Sequence, residues 1–430
     1  MQTETRLVAN WGNFPSTLAE VATPDNFGEA RDYLLARDRL LARGNGRCYG
    51  DAALGPHLLS TLRLNRLLAF DPENGIVHCE AGLLLRELLR VIVPAGWFLQ
   101  VTPGIKAITV GGAIASDVHG KNHPNKGCWS NWLLAFELMQ ADGQIVRCSR
   151  SENPDLFWQT CGGMGWTGVV LTARFQLVRI SSTRMRQSTF RAADFEQLYR
   201  SMAETSSSYA AAWIDTTSGK GRGTAFFAEH LPGNISGSPL LFIEKKPLKI
   251  PFFAPSWLLN PVTMRAYNEL HFRNNPSGEN VVELDSYFYP LDALGAWNRL
   301  YGRRGFIQYQ FCLPEAVSFD GLNRILETIR RSQETPFLSV LKRHSDRPAE
   351  AVHSFPLRGY SLALDFPRTR TVFALVNQLD NIVYQLGGRI YLAKDACSSA
   401  RVSGIQPGDF GTDKFYSLLK GRLMTTMPPG

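Results

Sequence analysis

The 430-residue sequence has few cysteines and no long apolar run. Its seven cysteines are odd in number, widely scattered and form no CxxC pair, which disfavours a disulfide framework and a structural zinc site. We therefore expect no metal and a reducing, cytoplasmic setting. The best apolar stretch, VIVPAGWFL, has nine residues and contains Pro94, whereas a membrane-spanning helix needs about 20 residues. The chain is therefore not expected to span a membrane.

The first residues also lack the basic head, apolar stretch and small-residue cleavage site of a secretory signal, so the mature chain is expected to begin near Met1. With 44% hydrophobic and 20% charged residues, the composition is typical of a globular protein and excludes global disorder. The length favours two domains. The formal net charge of +8 indicates an anionic partner, which could be a phosphate, a nucleic acid or a membrane surface.

The chain divides into two parts that differ in glycine content and in apolar periodicity. Residues 1–180 are dense in short strands and glycine turns, including a hairpin predicted at Asp142 and Gly143. From residue 181 glycine becomes rarer, and apolar periodicity predicts alternating helices and strands. This mixture predicts an α+β fold, and the last thirty residues show no clear pattern. The predicted elements of the second part are helices over 195–204, 321–334 and 373–386, and strands over 306–314, 359–367 and 387–396.

The sharpest local signal is the segment RGNGRCYGD at 43–51. Its glycines leave backbone N–H groups free to converge on an anion, and two arginines add positive charge, so the loop is suited to a pyrophosphate. The spacing is not the dinucleotide fingerprint, because a helix start and a later acidic residue are lacking, and no P-loop is present. Taken alone, such a loop is more often a surface turn than a ligand site.

Two further segments expose bare backbone in the same part of the chain. TPG at 102–104 leads into TVGGAIASDVHGKN at 109–122, where polar groups emerge from an apolar segment. A third glycine cluster, CGGMGWTG, follows at 161–168. Three such loops in one domain indicate a large, flat and partly anionic ligand.

The ordered blocks ARGNGRCYGD, TPG, TVGGAIASDVHGKN, LFWQTCGGMGWTG and GGRIYLAKD resemble the FAD-dependent oxidases of the vanillyl-alcohol oxidase type, over about residues 7–396. The segments YPLDALGAWNRLYG, FIQYQFCLP and SFPLRGYSLALDFP are similar to the cap of the branch that acts on a polyprenylphosphoryl ribose. The resemblance implies a two-domain FAD-binding fold with an antiparallel-sheet substrate cap. The FAD domain would comprise 1–180, completed by 387–430, and the cap 181–386.

FAD is the cofactor that the resemblance implies. Relatives with covalent flavin have a histidine where this chain has Arg47, so we expect FAD to be bound non-covalently. The first loop would wrap the pyrophosphate, Val170 would lie near the adenine, and Tyr391 would return from the C-terminal strand to the flavin. The residues assigned to FAD are Arg43, Gly44, Asn45, Gly46, Arg47, Cys48, Tyr49, Gly104, Thr109, Val110, Gly111, Gly112, Ser116, Asp117, Val118, His119, Val170 and Tyr391.

The reaction implied by the resemblance is oxidation of the 2′-hydroxyl of a polyprenylphosphoryl pentofuranose, by hydride transfer to flavin N5. A partner reductase would then produce the arabinose epimer for cell-wall synthesis. Such a step requires a cationic or hydrogen-bonding group beside the reacting carbon. We expect Lys394, His119 and Lys121 to be catalytic. The residues expected to bind substrate are Gln310, Lys342, Ser361 and Lys394.

Four of these residues also have a structural interpretation, since a lone histidine such as His119 is more often a structural residue with satisfied hydrogen bonds. Lys394 is compatible with a solvated strand end, and Gln310 and Lys342 with a strand edge. The chain departs from the family at Phe288, where a tyrosine hydroxyl is lost, and at Ala363, where relatives often have cysteine. The first departure bears on substrate identity, and the second predicts resistance to inhibitors that trap that cysteine.

The stretch EKKPLKIPFFAPSWLLNP at 244–261 places lysines beside aromatic and apolar residues, as a peripheral membrane contact would. Packing on the cap explains it equally well. No basic helix accompanies the charge, which disfavours nucleic acid. Two alternative functions stay open: an aldonolactone or alditol oxidase that acts on a soluble sugar with oxygen as acceptor, and a non-catalytic flavin-binding protein.

Overall fold

The computed structural model describes residues 1–233, 240–244, 247–255, 257–332, 334–346, 348 and 350–427. Helices and mainly antiparallel sheets are mixed along the chain, which confirms the expected α+β class. The helices are α1 (Phe27–Leu35), α2 (Leu85–Ile92), α3 (Val110–Ala115), α4 (His123–Lys126), α5 (Pro154–Thr160), α6 (Phe195–Glu204), α7 (Pro261–Asn274), α8 (Leu284–Phe288), α9 (Glu315–Ser332), α10 (Val372–Gln385) and α11 (Leu418–Thr426).

A small sheet at the beginning of the chain carries the first glycine loop. Its strands lie in the order β1-β2-β4-β3, with β1 and β2 antiparallel and the other two pairs parallel. The loop at 44–50 directly follows β3, so a strand of this sheet fixes where the loop begins. The strands are β1 (Gln2–Ala9), β2 (Ser16–Thr23), β3 (Leu41–Arg43) and β4 (His57–Ser60).

A second, antiparallel sheet supports the other glycine segments. Its order is β5-β6-β10-β8-β9, and β7 also pairs with β10. The hairpin predicted at Asp142 and Gly143 is confirmed, because β8 pairs with β9 across that turn and Gly143 has φ +79°. The strands are β5 (Leu67–Asp71), β6 (Ile76–Glu80), β7 (Trp97–Leu99), β8 (Leu133–Met139), β9 (Ile145–Ser149) and β10 (Val169–Arg179).

The largest sheet, called the cap sheet below, is antiparallel, with its described strands in the order β15-β11-β13-β12-β18-β19-β17-β20. A short parallel pair, β14 with β16, lies outside it. The strands are β11 (Arg184–Ala192), β12 (Tyr209–Ile214), β13 (Gly223–His230), β14 (Leu248–Lys249), β15 (Gly278–Glu283), β16 (Leu294–Gly295), β17 (Phe306–Pro314), β18 (Leu338–His344), β19 (Gly359–Pro367) and β20 (Arg389–Ile390).

Alternation along the cap sheet separates a core face from a face that is free to bind. Ile307, Tyr309 and Phe311 of β17 belong to the hydrophobic core together with residues of α6, α9 and α10. The side chains between them, Gln308 and Gln310, point to the opposite face, as the two-residue period of a strand requires. The sheet thus presents polar groups on one face while the other holds the domain together.

Most predicted elements of the second part are confirmed. The helix 195–204 and the strands 306–314 and 359–367 have the expected bounds. The helix predicted over 321–334 is observed as α9, which begins earlier, at Glu315, so Gly321 lies inside it. A Cβ at Gly321 would come within 2.7 Å of Leu313 and Leu386, so glycine here allows close packing of the helix.

The end of the chain differs from expectation. The strand predicted over 387–396 is limited to β20, and the chain then turns, with Lys394 N donating to the Tyr391 carbonyl oxygen at 2.9 Å. β20 pairs with β17, so it extends the cap sheet beyond residue 386. The division into 1–180 with 387–430 and 181–386 stays a prediction. The last thirty residues include α11, whose first residue, Leu418, donates to the Leu54 carbonyl oxygen at 2.8 Å.

The described residues contain no disulfide bond, no metal-binding cluster and no helix suited to cross a membrane. All seven cysteines are described, and each is a free thiol. Across the described ranges, no group of three or more potential metal ligands is arranged to hold an ion. None of the helices in those ranges combines the length and the apolar character needed to cross a bilayer.

Candidate active site

A cavity of about 680 Å³ lies where the three glycine segments meet the binding face of the cap sheet. The first loop, the segment 103–119 and residues near 164–170 form one side. The other side is formed by the cap sheet, by α7 and by the turn at 391–394. Segments far apart in the sequence therefore enclose one space, of the size usual for cofactor and substrate sites.

The first loop is held tightly against the start of α3. A Cβ on Gly44 would lie 2.3 Å from Thr109 Oγ1, and the Asn45 amide donates to the Ala107 carbonyl oxygen at 2.8 Å. Gly46 has φ +60°, a conformation that favours glycine. Thr109 Oγ1 in turn accepts from Gly112 N at 3.1 Å. The glycines thus allow two backbone segments to approach each other along the cavity wall.

Arg47 provides a test of whether an anionic group fits this cradle. Its guanidinium lies 4.2 Å from the centre of the Trp11 ring, and its Nε is buried without a hydrogen-bond partner among the described residues. A buried cationic donor without a partner is unfavourable unless an anion is nearby. Together with the bare backbone of the first loop, Arg47 fits the pyrophosphate of a dinucleotide cofactor.

The structure brings most of the predicted residues to this one cavity. Cofactor-side and substrate-side residues share the same continuous wall, although β17, β18 and the 391–394 turn lie far from the first loop in sequence. The predicted residues that line the cavity are Gly44, Asn45, Gly46, Arg47, Cys48, Tyr49, Gly104, Thr109, Gly111, Gly112, Ser116, Val118, His119, Lys121, Val170, Gln310, Lys342, Tyr391 and Lys394.

Arg43 and Val110 do not line the cavity, in contrast to the sequence-based expectation. The Arg43 guanidinium packs behind Gly46 of the loop and donates to Asn10 Oδ1 at 2.5 Å and to the Ala53 carbonyl oxygen at 2.6 Å. Val110 is fully buried in the core under the second sheet. Both side chains support the loops behind the cavity wall.

Asp117 and Ser361 also lie behind the wall. The buried Asp117 carboxylate accepts from Ser130 N at 2.9 Å and from the Ser354 hydroxyl at 2.6 Å. Ser361 Oγ lies 2.7 Å from His344 Nε2. Because these polar atoms already have partners in the protein, the structure favours a supporting position over the expected direct contact.

Lys394 reaches the cavity from the turn that follows β20. Tyr391 N donates to the Gln310 carbonyl oxygen at 2.8 Å, and Tyr49 N donates to the Ala393 carbonyl oxygen at 3.0 Å. Lys394 Nζ consequently lies 3.4 Å from the centre of the Tyr49 ring. Burial lowers the pKa of Lys394 to about 8, so about one tenth of the amine is unprotonated at pH 7.

Two other lysines face the same space. Burial lowers the pKa of Lys342 to about 8. Burial and the charge of Lys342 lower the pKa of Lys121 to about 7. Lys121 Nζ lies 4.1 Å from the centre of the Tyr287 ring and donates to the Tyr287 carbonyl oxygen. Desolvated ammonium groups around one cavity favour an anionic ligand.

His119 is oriented by the cap. The Gln310 side-chain amide lies 3.0 Å from His119 Nε2, and since an amide nitrogen donates, this ring nitrogen accepts. The neutral ring therefore carries its proton on Nδ1. Burial, reinforced by Lys342, holds the pKa of His119 well below its usual range. His119 is thus a neutral group, packed against Tyr391 with ring centres 5.0 Å apart.

Sequence reasoning missed Asp365. It is fully buried in β19, accepts a hydrogen bond from the Gln308 amide, and its carboxyl pKa is raised by burial to about 7. Its charge raises the pKa of Lys394, so the two groups influence each other's protonation. The available signal was a single carboxylate inside the apolar strand GYSLALDFP.

The two departures from the family lie at the site. Phe288 and Ala363 both line the cavity. The hydroxyl of the adjacent Tyr289 lies 2.7 Å from Thr102 Oγ1, in a fully buried position, so it does not replace the hydroxyl lost at Phe288. The cavity wall is therefore more apolar here than the family pattern implies.

Exposed apolar side chains continue from one edge of the cavity. Leu294 lines the cavity, and its strand β16 pairs with β14, where Leu248 is 71% exposed. Further along the chain, Phe252 and Trp257 are each 70% exposed. Lys245 and Lys246, part of the expected basic cluster, lie outside the described residues. The described part of this stretch is therefore a solvent-facing apolar surface.

Comparison with known proteins identifies the cofactor. A family model described as an FAD binding domain matches residues 15–149. Decaprenylphosphoryl-β-D-ribose oxidase of Mycolicibacterium smegmatis is 33% identical over 419 residues, covering 93% of this chain and 90% of that protein. An uncharacterized protein of Streptomyces coelicolor is 31% identical over 332 residues, covering 73% and 89%. L-gulonolactone oxidase of Mus musculus is 33% identical over 160 residues, 36% of each chain. FAD is the cofactor of this chain.

The close approach of Gly44 to Thr109 is expected to be required for tight FAD binding. Gly44→Ala is expected to weaken FAD binding by on the order of tenfold, or about 1.4 kcal/mol, because the methyl group would displace the loop from Thr109. The ratio of flavin to protein absorbance after purification, together with FAD titration, measures this. Gly219→Ala is the matched control, since its Cβ meets nothing within 4 Å. A full FAD complement in Gly44→Ala would contradict the role of this contact.

Proposed function

Because the chain belongs to the family of FAD-dependent oxidases that includes decaprenylphosphoryl-β-D-ribose oxidase, we propose that it oxidises the 2′-hydroxyl of a polyprenylphosphoryl ribose to the 2′-keto sugar. The observation that carries the substrate class is the pair of desolvated lysines that share the cavity with Lys394, namely Lys121 and Lys342. A sugar phosphate would compensate their charge, whereas a neutral alditol or lactone would not.

The cradle of the first loop and Arg47 would hold the pyrophosphate of FAD, and Val170 would lie on the adenine side. When bound, FAD accepts the hydride from the sugar carbon. No histidine occupies the position of Arg47, so we propose that FAD is held without a covalent bond. Arg43, Val110 and Asp117 would support this site through the loops that they brace.

Lys394 would take the proton of the reacting hydroxyl. Its lowered pKa makes the neutral amine available, and an acceptor with a pKa near the working pH is effective in proton transfer. The hydroxyl proton would thus pass to Lys394 Nζ while the hydride leaves the carbon. The neutral His119, fixed by Gln310, would orient the hydroxyl, and Lys121 and Lys342 would bind the phosphate. Ser361 would hold His344 behind them.

The apolar surface formed by Leu248, Phe252 and Trp257 would receive the lipid. Leu294 connects it to the cavity wall, which gives a polyprenyl chain an apolar path out of the site. Lys249 lies within this surface and would attract anionic headgroups. We therefore propose a cytoplasmic protein that binds the membrane peripherally through this surface.

The 2′-keto sugar would require a separate reductase to complete an epimerisation to arabinose. Reduction from the opposite face of the ring inverts the configuration. The partner would therefore be a keto-sugar reductase that takes the product of this oxidase for cell-wall arabinose synthesis.

The substrate is tested by anaerobic bleaching of the flavin. A polyprenylphosphoryl ribose is expected to reduce the purified enzyme, whereas free ribose, alditols and aldonolactones are expected to react at least about 100-fold more slowly at equal concentration, since they lack the phosphate contacts. Bleaching by alditols or lactones alone would instead identify the soluble-sugar oxidase. A chain that holds FAD but is bleached by none of these compounds would support a non-catalytic flavin protein.

The pKa of Lys394 predicts the pH dependence of this step. Below the pKa, near 8, the neutral amine fraction rises tenfold per pH unit, so the rate constant of flavin reduction is expected to rise by about that factor and level off above pH 8. Lys394→Arg cannot accept the proton and should lower the rate by on the order of 100-fold or more while keeping FAD. The measurement is anaerobic stopped flow from pH 6 to 9.

Lys342→Ala is the control for this assignment, because Lys342 also has a pKa of about 8. It should weaken substrate binding but retain the rise of the rate constant, which should level off at a higher pH because the charge of Lys342 no longer lowers the pKa of Lys394. A rate constant that falls through pH 8 in the unmodified enzyme would show that the ammonium form of Lys394 is the active one.

The membrane contact is tested by co-sedimentation with phosphatidylglycerol vesicles at low salt, where electrostatic attraction is strongest. The double variant Phe252→Ser/Trp257→Ser is expected to lose vesicle binding with little effect on stability, because both side chains are 70% exposed. Leu7→Ser/Leu18→Ser is a matched control, at 70% and 66% exposure on the first sheet. Equal binding by both double variants would refute this surface as the contact.

A further inference from the structure

We propose that Arg422, in the C-terminal helix α11, is a positioning residue for Lys394, whose turn it holds against the end of the first loop. The helix would thereby contribute to the active site indirectly, by fixing the position of Lys394. This inference rests on the proposed function in one respect only, namely that Lys394 takes the hydroxyl proton. Arg422 itself does not line the cavity and would act entirely through its neighbours.

The guanidinium of Arg422 joins two carboxylates from opposite ends of the chain. Its Nε donates to Asp51 Oδ2 at 2.7 Å and its Nη2 to Asp51 Oδ1 at 3.0 Å, a two-pronged pairing. Nη2 also donates to Asp395 Oδ2 at 2.7 Å, and Nη1 donates to the Ser398 carbonyl oxygen. One side chain thus ties the first loop to the turn that follows Lys394.

Both carboxylates are directly connected to site residues. Asp395 follows Lys394 in the chain, and its Oδ1 accepts from Cys397 N at 3.0 Å and Ser398 N at 2.9 Å, which closes the turn. Asp51 follows Gly50, where a Cβ would lie 1.7 Å from the Asp395 carbonyl oxygen. A shift of either carboxylate would therefore be transmitted to Lys394.

Arg422, Asp51 and Asp395, together called the clamp below, depend on the positive charge of the arginine. Asp51 and Asp395 are 3% and 4% exposed, and Arg422 is the basic group paired with both among the described residues. Without it, two buried carboxylates would face each other unpaired, which is strongly unfavourable. The turn would then open, or one carboxylate would take up a proton. In either case, the surroundings of Lys394 would change.

The helix has other anchors, so removal of Arg422 need not detach it. Ser417 caps α11 and accepts from Trp166 Nε1 at 3.0 Å. The buried Lys420 donates to the carbonyl oxygens of Phe410 at 2.7 Å and Thr412 at 2.8 Å. Leu419 and Leu423 are fully buried in the main core. These contacts allow a variant at Arg422 to keep the fold while losing the clamp.

The test compares Arg422→Met with the wild-type holoenzyme. We expect FAD content to be unchanged, KM to change less than about twofold, and the rate constant of flavin reduction to fall by about 10- to 100-fold, since misplacement of a catalytic group by about 1 Å has effects of this size. Arg401→Met is the matched control, because Arg401 is exposed and lies 4.4 Å from the Tyr384 ring. It should react like wild type.

A second readout needs no sugar substrate. Competitive acetylation of the holoenzyme at a series of pH values, followed by mass spectrometry, reports the protonation of Lys394 directly. The charged or titratable groups that influence it are Asp365, Cys48 and Lys342. Burial is the main cause of the lowered pKa of Lys394, and opening of the turn would admit water to its amine, so the midpoint for Lys394 should move up by about 0.5 pH unit or more in Arg422→Met.

The outcomes separate the inference from the proposed function. If the lipid-linked ribose fails to bleach any variant, the acetylation midpoint still decides whether Arg422 acts on Lys394. An unchanged midpoint and a rate within twofold of wild type would overturn the inference. If Arg422→Met fails to fold, Arg422→Lys serves instead: it keeps the charge but not the two-pronged pairing, and a rate and midpoint equal to wild type would equally overturn it.

Discussion

The site depends on the close approach of two backbone segments from opposite ends of the chain. Tyr49 N donates to the Ala393 carbonyl oxygen, and Gly50 packs against Asp395 with no room for a side chain. This contact places the turn after β20 beside the first glycine loop, so the wall that holds the cofactor and the residue proposed to take the proton share one rigid unit. Loss of that approach would separate the two halves of the site.

Desolvation then gives this arrangement its chemistry. Lys121, Lys342 and Lys394 line one cavity, and burial lowers the pKa of each toward neutrality. The same lysines on an open surface would be fully protonated and strongly hydrated. In the cavity they combine affinity for an anion with a supply of neutral amine. Asp365, held neutral or charged by a balance between burial and Lys394, is part of the same coupled system.

Much of the fold could be predicted because its elements follow local periodicity. The strands at 306–314 and 359–367 and the helix at 195–204 have the bounds that alternation and helical spacing indicate. The prediction failed at 387–396, where β20 gives way to a turn because hydrogen bonds to distant residues replace the ladder. Likewise, Arg43 and Asp117 carry the right residue type for a ligand, but partners brought close by folding occupy their polar atoms.

The sequence by itself determined the α+β class, the glycine segments that can pack closely, and the residue types available for binding FAD, because these are local properties of composition and spacing. Only the tertiary structure decided which lysines share one cavity, that the charge of the buried Asp365 acts on Lys394, and that Arg422 joins Asp51 to Asp395. Burial and pairing depend on contacts between segments far apart in the chain, and no local pattern specifies them.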